Sequence, residues 1–304
     1  GSRPTLPPVG RGQREMCIGD SAWPAGSVAA VREAGALGWS ASPEYAGGGV
    51  AGADLLAGHE QIAAACPTTA FILSQREAAV RQLLRGPPAV RDRYLPGLAA
   101  GELFATVGLS QLTTSRQHGG PALRATPAAG GYRLDGDIPW VTGADRADVL
   151  VVGATLPDDT QVVLAVPGGA AGLAVGPPMP LAALVGSRTA AVRCDGVAVG
   201  REEVIAGPAA KVLGPVGGGG LETSNLALGV AAAAAALLDR EAAGRPDLAN
   251  AAGRFRRAVA AARFRLHALA AAPDPDAALA ERVGCTRLAL GASQAALLAA
   301  KGAG

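Results

Sequence analysis

The chain has no marked excess of either charge. Among its 304 residues, 27 lysines and arginines are interspersed with 25 aspartates and glutamates, which gives a net charge of +2 at pH 7. A surface for nucleic acid or for an anionic membrane would need a concentration of basic residues. The one basic cluster, within residues 254–265, lies in a helical pattern and is expected to form a solvated helix face. The sequence therefore predicts neither a nucleic-acid partner nor a membrane partner.

Cysteine and histidine are scarce and widely spaced. The four cysteines are Cys17, Cys66, Cys194 and Cys285. The three histidines are His59, His118 and His267. Because no Cys-x-x-Cys pair and no ligand spacing of histidines occurs, we predict neither a metal site nor a disulfide scaffold. A reducing, cytoplasmic location fits this pattern.

Long hydrophobic runs are also lacking. The longest, residues 226–238, is mostly alanine and is shorter than the roughly 20 residues that a transmembrane helix needs. The N-terminal residues do not show the basic-then-apolar pattern of a signal peptide. We therefore expect a globular protein without a membrane-spanning segment.

Apolar residues, in contrast, make up 49% of the chain, which is enough for a sizeable core in one large or two to three smaller domains. Helical periodicity covers residues 51–100 and returns, after a glycine-rich hinge at 214–220, over residues 221–301. Between them, residues 104–206 predict an antiparallel β-domain of about eight short strands. The pattern predicts an α+β fold in which helices precede and follow the sheet.

Residues 131–144 carry the most specific pattern: they read Gly-Tyr-Arg-Leu-Asp-Gly-Asp-Ile-Pro-Trp-Val-Thr-Gly-Ala. Asp135-Gly136 between two short apolar segments predicts a hairpin turn, because glycine supplies positive φ. Trp140 and Thr142 are two residues apart and would project from one strand face. An aromatic ring beside a hydroxyl suits a planar heteroaromatic ligand. The alternative is an ordinary hairpin with a half-buried tryptophan and a threonine that favours strands.

This stretch resembles the middle-domain signature of the acyl-CoA dehydrogenase family. In that family the tryptophan packs on the flavin and the threonine two residues later reaches its reactive edge, so the resemblance implies these roles for Trp140 and Thr142. Residues 37–49, 90–102 and 185–206 also resemble segments of the family. The last of these contains a second Asp-Gly pair, at positions 195 and 196, which predicts another tight turn.

The resemblance implies a fold of three parts and a mode of assembly. It implies an N-terminal α-helical domain (1–103), a middle β-domain (104–213) and an incomplete C-terminal helical bundle (214–304). The alanine-rich centre of the first bundle helix would let neighbouring helices approach closely. In the family this bundle makes the subunit interface, which implies a homodimer or homotetramer.

The chain departs from the family in two cofactor motifs. The family's Thr-Glu-Pro-x-x-Gly-Ser-Asp is replaced by Ser-Gln-Leu-Thr-Thr-Ser-Arg-Gln at residues 110–117. Ser110 can supply the hydroxyl of the family's threonine, and Ser115 is the nearest candidate for its serine. Arg116 adds a cation that can bind a phosphate of the substrate bidentately. The family's Arg-x-x-Phe-Gly…Gln signature is absent near residues 240–256.

Glu222 is the candidate catalytic base. It lies in the first turn of the predicted helix that starts at residue 221, where the helix dipole favours a carboxylate without any catalytic role. The isovaleryl branch of the family places its base at the corresponding Leu-Glu position, which implies that role for Glu222. The family's Glu-Arg is Glu222-Thr223 here, and most members carry the base nearer the C-terminus, beyond residue 304.

The resemblance thus implies an FAD-dependent oxidoreductase that acts on an acyl-CoA or acyl-carrier-protein thioester. In such α,β-dehydrogenation a base takes the α-proton and flavin N5 takes the β-hydride, both inside a dry cleft. The altered motifs leave two alternatives. One is an enzyme of the same fold with changed chemistry, namely hydroxylation or non-redox cyclisation or elimination, with or without flavin. The other is a catalytically silent subunit that pairs with an intact paralogue.

Overall fold

The computed structural model describes residues 22–113, 120–213 and 220–300. They fall into two compact units that interleave along the chain. We call one the helical unit; among the described residues it contains 51–71 and 220–300. We call the other the sheet unit; it contains 22–50, 72–113 and 120–213. The division into three successive domains stays a prediction.

Helices form the first part of the chain, as the periodicity predicts. They are α1 (Ala25–Glu33), α2 (Gly52–Ala65), α3 (Pro67–Arg85) and α4 (Pro88–Ala100). The Gly-Pro-Pro sequence separates α3 from α4, since proline suits the first turn of a helix but not its interior. Helix α4 ends at Gly101, whose φ of 71° is the left-handed conformation that glycine adopts readily.

Arg76 in α3 is completely buried and joins three segments of the sheet unit. Its guanidinium donates to the carbonyl of Leu37 (2.7 Å) and to the carbonyl of Leu98, and it pairs with Glu77 at 3.3 Å. Burial lowers the pKa of Arg76, while the Glu77 carboxylate opposes that shift. The buried guanidinium therefore anchors a short 3-10 turn and the end of α4 against α3.

In the described part of the chain, eight strands form one sheet, which confirms the predicted β-domain. The strands are β1 (Ala105–Gly108), β2 (Leu123–Ala128), β3 (Gly131–Val141), β4 (Val149–Thr155), β5 (Gln161–Pro167), β6 (Leu173–Val175), β7 (Ala190–Gly200) and β8 (Val204–Ala209). Their order is β6-β7-β3-β2-β4-β5-β8, with β1 beside β4. Neighbours are antiparallel except for the pairs β1–β4 and β2–β4. Strand β4 is buried along its whole length because both of its faces are covered.

Two hydrophobic clusters lie in the sheet unit. Leu150 and Val152 of β4 belong to one cluster, with residues of β3, β5 and β7. Val149 and Val151 belong to the other, with residues of α3 and α4. This alternation along one strand shows the period of two that separates the faces of a sheet. The sheet is therefore packed against α3 and α4 on one side.

A polar contact also fastens α4 within the sheet unit. The Tyr94 hydroxyl donates to Glu203 Oε2 at 3.0 Å, and Arg93 pairs with the other oxygen of that carboxylate. Burial and the neighbouring Glu203 carboxylate raise the pKa of Tyr94 well above its ordinary value. The phenol is thus held in its protonated, donating form.

The prediction of a hairpin at Asp135-Gly136 is wrong. Strand β3 runs continuously through this pair, with Gly136 at a φ of 124°. The predicted turn at Asp195-Gly196 is wrong too, because both residues lie inside β7. The two pairs face each other: Asp135 is opposite Asp195, and Gly196 is the extra residue of a β-bulge. The backbone N–H of Gly196, whose φ is 67°, donates to the Asp135 carboxylate at 2.9 Å.

The helical unit combines α2 with α5 (Leu221–Ala242), α6 (Ala249–Ala271) and α7 (Pro275–Ala299). The three C-terminal helices agree with the predicted ones. Helices α2 and α5 approach so closely that a Cβ at Gly229 would lie 2.5 Å from the Ala63 side chain. Arg263 of α6 forms two hydrogen bonds, of 2.8 and 2.7 Å, to Glu60 of α2. Most of the basic cluster on α6 is exposed, as predicted for a solvated helix face, and carboxylates partly neutralise it.

Helix α5 corrects the expectation that every apolar segment is too short to cross a membrane. It has 22 residues, and a window within it has a mean hydropathy of 1.5, with 44% of that window buried. By length and composition alone such a helix can span a bilayer. Leu228, Ala231 and Leu238 nevertheless lie in the core of the helical unit. Core helices of globular proteins are buried in this way. Length and composition alone therefore do not distinguish a core helix from a membrane-spanning helix.

The cysteines differ from one another. Cys66 is disulfide-bonded, contrary to the expectation from the sequence. Cys194 and Cys285 are free and buried, and burial raises the pKa of each thiol to about 11. Such thiols are almost entirely protonated at neutral pH and react slowly. Within the described ranges, no group of histidine, cysteine and carboxylate side chains is arranged to hold a metal ion.

Candidate functional site

The candidate site lies at the end of β3. Trp140 is the penultimate residue of that strand, and 49% of its surface is exposed, whereas Ile138 and Val141 are completely buried. The pairing of β3 with β7 is irregular between Ile138 and Val141, and Thr142 lies just beyond the strand. Simple alternation, from which the sequence placed Trp140 and Thr142 on one face, therefore does not apply here. The indole is accessible to a ligand and is not enclosed within the sheet.

Three buried hydroxyl groups form a series of contacts that begins at Thr142, two residues after Trp140. Thr142 Oγ1 lies 3.1 Å from Thr189 Oγ1, which lies 2.9 Å from Ser187 Oγ. We call these three side chains the hydroxyl chain. The backbone carbonyl of Thr142 also accepts a hydrogen bond of 2.8 Å from the Thr106 hydroxyl. The position of Thr142 is thus fixed through both its side chain and its backbone.

The two segments that carry the hydroxyl chain are joined by further contacts. The backbone N–H of Gly143 donates to the carbonyl of Ser187 at 2.9 Å, and Arg188 Nε donates to Asp145 at 2.7 Å. Gly143 has a φ of 63°, and a Cβ there would lie 3.1 Å from ring atoms of both Phe104 and Trp23. Glycine is therefore required at this turn by its conformation and by the two rings.

Ser110 and Gln111 lie in a 3-10 turn after β1. Ser110 Oγ is shielded from solvent and has no hydrogen-bond partner within the described residues. Gln111 is buried, and its Nε2 donates to the carbonyls of Gly108 and Gly153, each at 2.7 Å. Gln111 therefore fastens the turn to β1 and β4 and presents Ser110 with an unused hydroxyl.

The structure says less about the other predicted site residues. Ser115 and Arg116 lie outside the described residues, as does most of the predicted hinge at 214–220. Glu222 lies in the first turn of α5, as predicted, and its Oε2 is shielded from solvent. It belongs to the helical unit, whereas Trp140 belongs to the sheet unit. The roles of these side chains stay predictions.

Ser187 and Thr189 were not identified as functional residues from the sequence. They lie in the segment 185–206 that resembles the family, but the pattern of that segment predicts only strands of the sheet. Thr189 and Thr142 are separated by 47 positions in the chain. The pairing of β7 with β3, which ends at Val141 opposite Ala190, brings them together.

The succession of helices, sheet and helices along the chain is that of the acyl-CoA dehydrogenase fold. The solved structure of butyryl-CoA dehydrogenase from Megasphaera elsdenii has a TM-score of 0.81 at 18% identity, over 93% of this chain and 81% of that one. Dibenzothiophene monooxygenase from Paenibacillus sp. A11-2 has a TM-score of 0.77 at 17% identity, over 97% and 84%. At such low identities these likenesses show the fold.

Sequence comparison also finds similarity to acyl-CoA dehydrogenases. Residues 14–102 match the family described as "Acyl-CoA dehydrogenase, N-terminal domain". The mitochondrial very long-chain specific acyl-CoA dehydrogenase of Bos taurus is 33% identical over 148 residues, which are 45% of this chain. The match spans 21%, about a fifth, of that relative's length. The N-terminal part of the chain thus matches the acyl-CoA dehydrogenase family model, and the chain shares the fold of a solved acyl-CoA dehydrogenase.

Proposed function

We propose that the protein is an FAD-dependent oxidoreductase that performs α,β-dehydrogenation of an acyl thioester of coenzyme A or of an acyl carrier protein. The observation that carries the proposal is the half-exposed Trp140 followed by the buried hydroxyl chain that begins at Thr142. The substrate class is supported by the curated relative, which is an acyl-CoA dehydrogenase.

The described residues fit a flat heteroaromatic cofactor. An exposed indole offers an aromatic face for stacking, which contributes about 0.5–1.5 kcal/mol beyond area burial. Ser110 Oγ is shielded and has no partner in the described part of the chain. A buried hydroxyl without a partner costs about 1–3 kcal/mol, and a polar group of a bound cofactor would remove that cost. Trp140, Thr142 and Ser110 would thus hold the flavin, with Ser115 as a further candidate.

In this proposal the flavin supplies the electron-accepting chemistry. Trp140 binds the ring by contact with its face, and Thr142 and Ser110 orient it by hydrogen bonds to its polar edge. Glu222 takes the proton from the α-carbon of the thioester, and Arg116 binds a phosphate of the acyl carrier. The partial enclosure of Glu222 in the first turn of α5 supports its assignment as the base.

A visible absorption spectrum tests the proposal directly. Purified protein incubated with FAD and freed of excess cofactor is expected to keep the absorption of bound flavin. Protein that stays colourless after this treatment would refute the proposal.

The base is tested by Glu222→Gln, with Glu241→Gln on the same helix as the matched control. Loss of a general base lowers the rate by about 10²- to 10⁴-fold, so we expect a fall of that size in dehydrogenation by the first variant only. FAD binding should be unchanged in both variants. Equal activities of the two variants would show that Glu222 is not the base.

A second candidate is an enzyme of this fold with changed chemistry. The altered motif at residues 110–117 and the likeness to a monooxygenase support it. Mass spectrometry of the products separates the candidates, because dehydrogenation removes two hydrogen atoms, hydroxylation adds one oxygen atom, and cyclisation or elimination needs no electron acceptor. If none of these products forms, pull-down of an intact paralogue from the native host tests the silent-subunit alternative.

We also infer that the protein forms a homodimer or homotetramer through its C-terminal helices. Four exposed apolar residues follow one face of α7 at helical spacing: Leu279, Val283, Leu290 and Leu297. Single exposed apolar residues are common, but several on one helix face are typical of an interaction surface. The stripe therefore offers a face for a second copy of the chain.

A charge placed on this stripe should disrupt the assembly. Leu290→Glu should raise the dissociation constant of the oligomer by at least about tenfold, because a buried unpaired charge is costly. Leu298→Glu is the control, since Leu298 is equally exposed on α7 but lies off the stripe. Analytical ultracentrifugation measures both variants. Equal association of the two variants would exclude this face.

A further inference from the structure

We propose that Ser187 and Thr189 are positioning residues that make the Thr142 hydroxyl a hydrogen-bond donor toward the bound cofactor. The inference rests on the proposed function, since it concerns the ligand of the same site. It assigns a task to two residues of the sheet unit that have no role in the proposal above.

The number of protons in the hydroxyl chain carries the argument. Each hydroxyl has one proton to donate and can accept from others. Two contacts, of 3.1 and 2.9 Å, join the three side chains, so they use two of the three protons. One proton is left over. Within the described residues, these hydroxyls form no further hydrogen bond.

The leftover proton has one favourable location. Ser187 is completely enclosed, with 0% of its surface exposed, so an unused proton there would point into the protein without an acceptor. A head-to-tail arrangement, in which Ser187 donates to Thr189 and Thr189 donates to Thr142, moves the unused proton to Thr142. Hydrogen bonds in such a chain strengthen one another. Thr142, which is 5% exposed whereas Ser187 is fully enclosed, then carries the unused proton at its end of the hydroxyl chain.

Contacts within the protein hold the hydroxyl chain in place. Gly143 N–H to Ser187 O and Arg188 to Asp145 hold the two segments together on either side of the hydroxyls. Since these contacts fix the side chains in advance, little entropy is lost in ordering them when a cofactor binds. The site therefore presents a fixed donor and selects a ring edge that carries a hydrogen-bond acceptor at this place.

The test is a double-mutant cycle for FAD affinity, measured by titration of the flavin spectrum. Thr189→Val keeps the shape of the side chain and removes the hydroxyl, and Thr189→Ser keeps the hydroxyl. Both are made in the wild-type protein and in the Thr142→Val background. Thermal unfolding without FAD shows whether each variant is folded.

We expect Thr189→Val to weaken FAD binding by about 2- to 10-fold, the range of one hydrogen bond. Thr189→Ser should restore the affinity. In the Thr142→Val background the change at position 189 should have no further effect, because Thr189 acts only through the Thr142 hydroxyl. A purely structural role of Thr189 would instead give the same loss in both backgrounds.

The possible failures are distinguishable. A wild-type protein that binds no FAD refutes the proposed function and this inference with it. A wild-type protein that binds FAD, together with a Thr189→Val variant of unchanged affinity, refutes the inference alone. An equal loss of affinity with and without the Thr142 hydroxyl also refutes only the inference. If Thr189→Val does not fold, Ser187→Ala takes its place in the cycle with the same expectations.

Discussion

Replacement of Trp140 tests whether its exposed indole face binds the cofactor. We compare Trp140→Leu, which removes the flat ring, with Trp140→Phe, which keeps a smaller one. Both side chains remain apolar, so the buried half of the position is filled to a similar extent in each. The two variants are expected to have similar free energies of unfolding without FAD.

The expected change in affinity follows from the exposed area. A tryptophan side chain has about 250 Å² of surface, and 49% of Trp140 is exposed, which leaves roughly 120 Å². One face of the ring is about half of that area, so at about 25 cal/mol per Å² its burial contributes about 1.5 kcal/mol. Loss of this face in Trp140→Leu should weaken FAD binding by about tenfold, and Trp140→Phe by about twofold.

FAD affinity is measured by titration, and chemical denaturation measures stability without the cofactor. Phe264→Leu is the matched control, because Phe264 is an exposed aromatic residue in the helical unit. It should leave FAD affinity unchanged. Equal affinities of wild type, Trp140→Leu and Trp140→Phe at equal stability would refute the assignment of the indole face.

Two further predictions concern the sheet unit. Arg76→Met should lower the free energy of unfolding by about 3–5 kcal/mol, because it leaves two buried carbonyls and a buried carboxylate without their partner; chemical denaturation measures this loss. Tyr94 has a raised folded-state pKa, so its stabilising contribution is present below its ordinary value of 10.0 and is lost as the pH rises above it. Tyr94→Phe should therefore lose less stability than wild type between about pH 9 and pH 11.

Both predictions have clear negative outcomes. Arg124 is exposed on β2, so Arg124→Met should change stability by less than about 0.5 kcal/mol. If Arg76→Met behaves like Arg124→Met, the buried guanidinium does not anchor its neighbours. If Tyr94→Phe follows the same alkaline decline as wild type, other groups cause that decline.

Much of the fold could be predicted from local pattern. Helical periodicity and the Gly-Pro-Pro break are properties of neighbouring residues, and the helices lie where they indicate. The two Asp-Gly pairs show the limit of such reasoning. Positive φ at glycine occurs in tight turns and in β-bulges alike. Strand β3 continues through Gly136 because it pairs with β2 on one side and β7 on the other, and that pairing is not visible locally.

The residues of the candidate site also fall into those that the local sequence indicates and those that only the folded structure reveals. The residues around Trp140 and Thr142 in the sequence indicate these two as site residues. The contact of Thr189 with Thr142, in contrast, depends on strand pairing, which the local sequence does not reveal. Arg76 is a similar case, since nothing in α3 indicates that its guanidinium is buried. Its partners, the carbonyls of Leu37 and Leu98, come from segments on either side of α3 in the chain.

The most notable departure from the family motif, glutamine in place of glutamate at position 111, has a structural reason. The Gln111 amide donates to the carbonyls of Gly108 and Gly153, each at 2.7 Å. A glutamate carboxylate has no proton to donate and would face two carbonyl oxygens inside the protein. The residue that the family motif prescribes should therefore destabilise this protein. We expect Gln111→Glu to cost about 3 kcal/mol or more at neutral pH.

The pH dependence of this loss distinguishes charge from missing hydrogen bonds. Burial would raise the pKa of the introduced carboxyl, so its protonated form, which can donate one hydrogen bond, is favoured in acid. The loss in Gln111→Glu should consequently shrink as the pH falls from about 8 to about 5. Gln111→Met removes the donor without adding charge, and its loss should not vary with pH. Chemical denaturation across this range measures both variants. If the glutamate variant were as stable as the methionine variant at pH 8, the two carbonyls would not require an uncharged donor, and the departure at position 111 would need another cause.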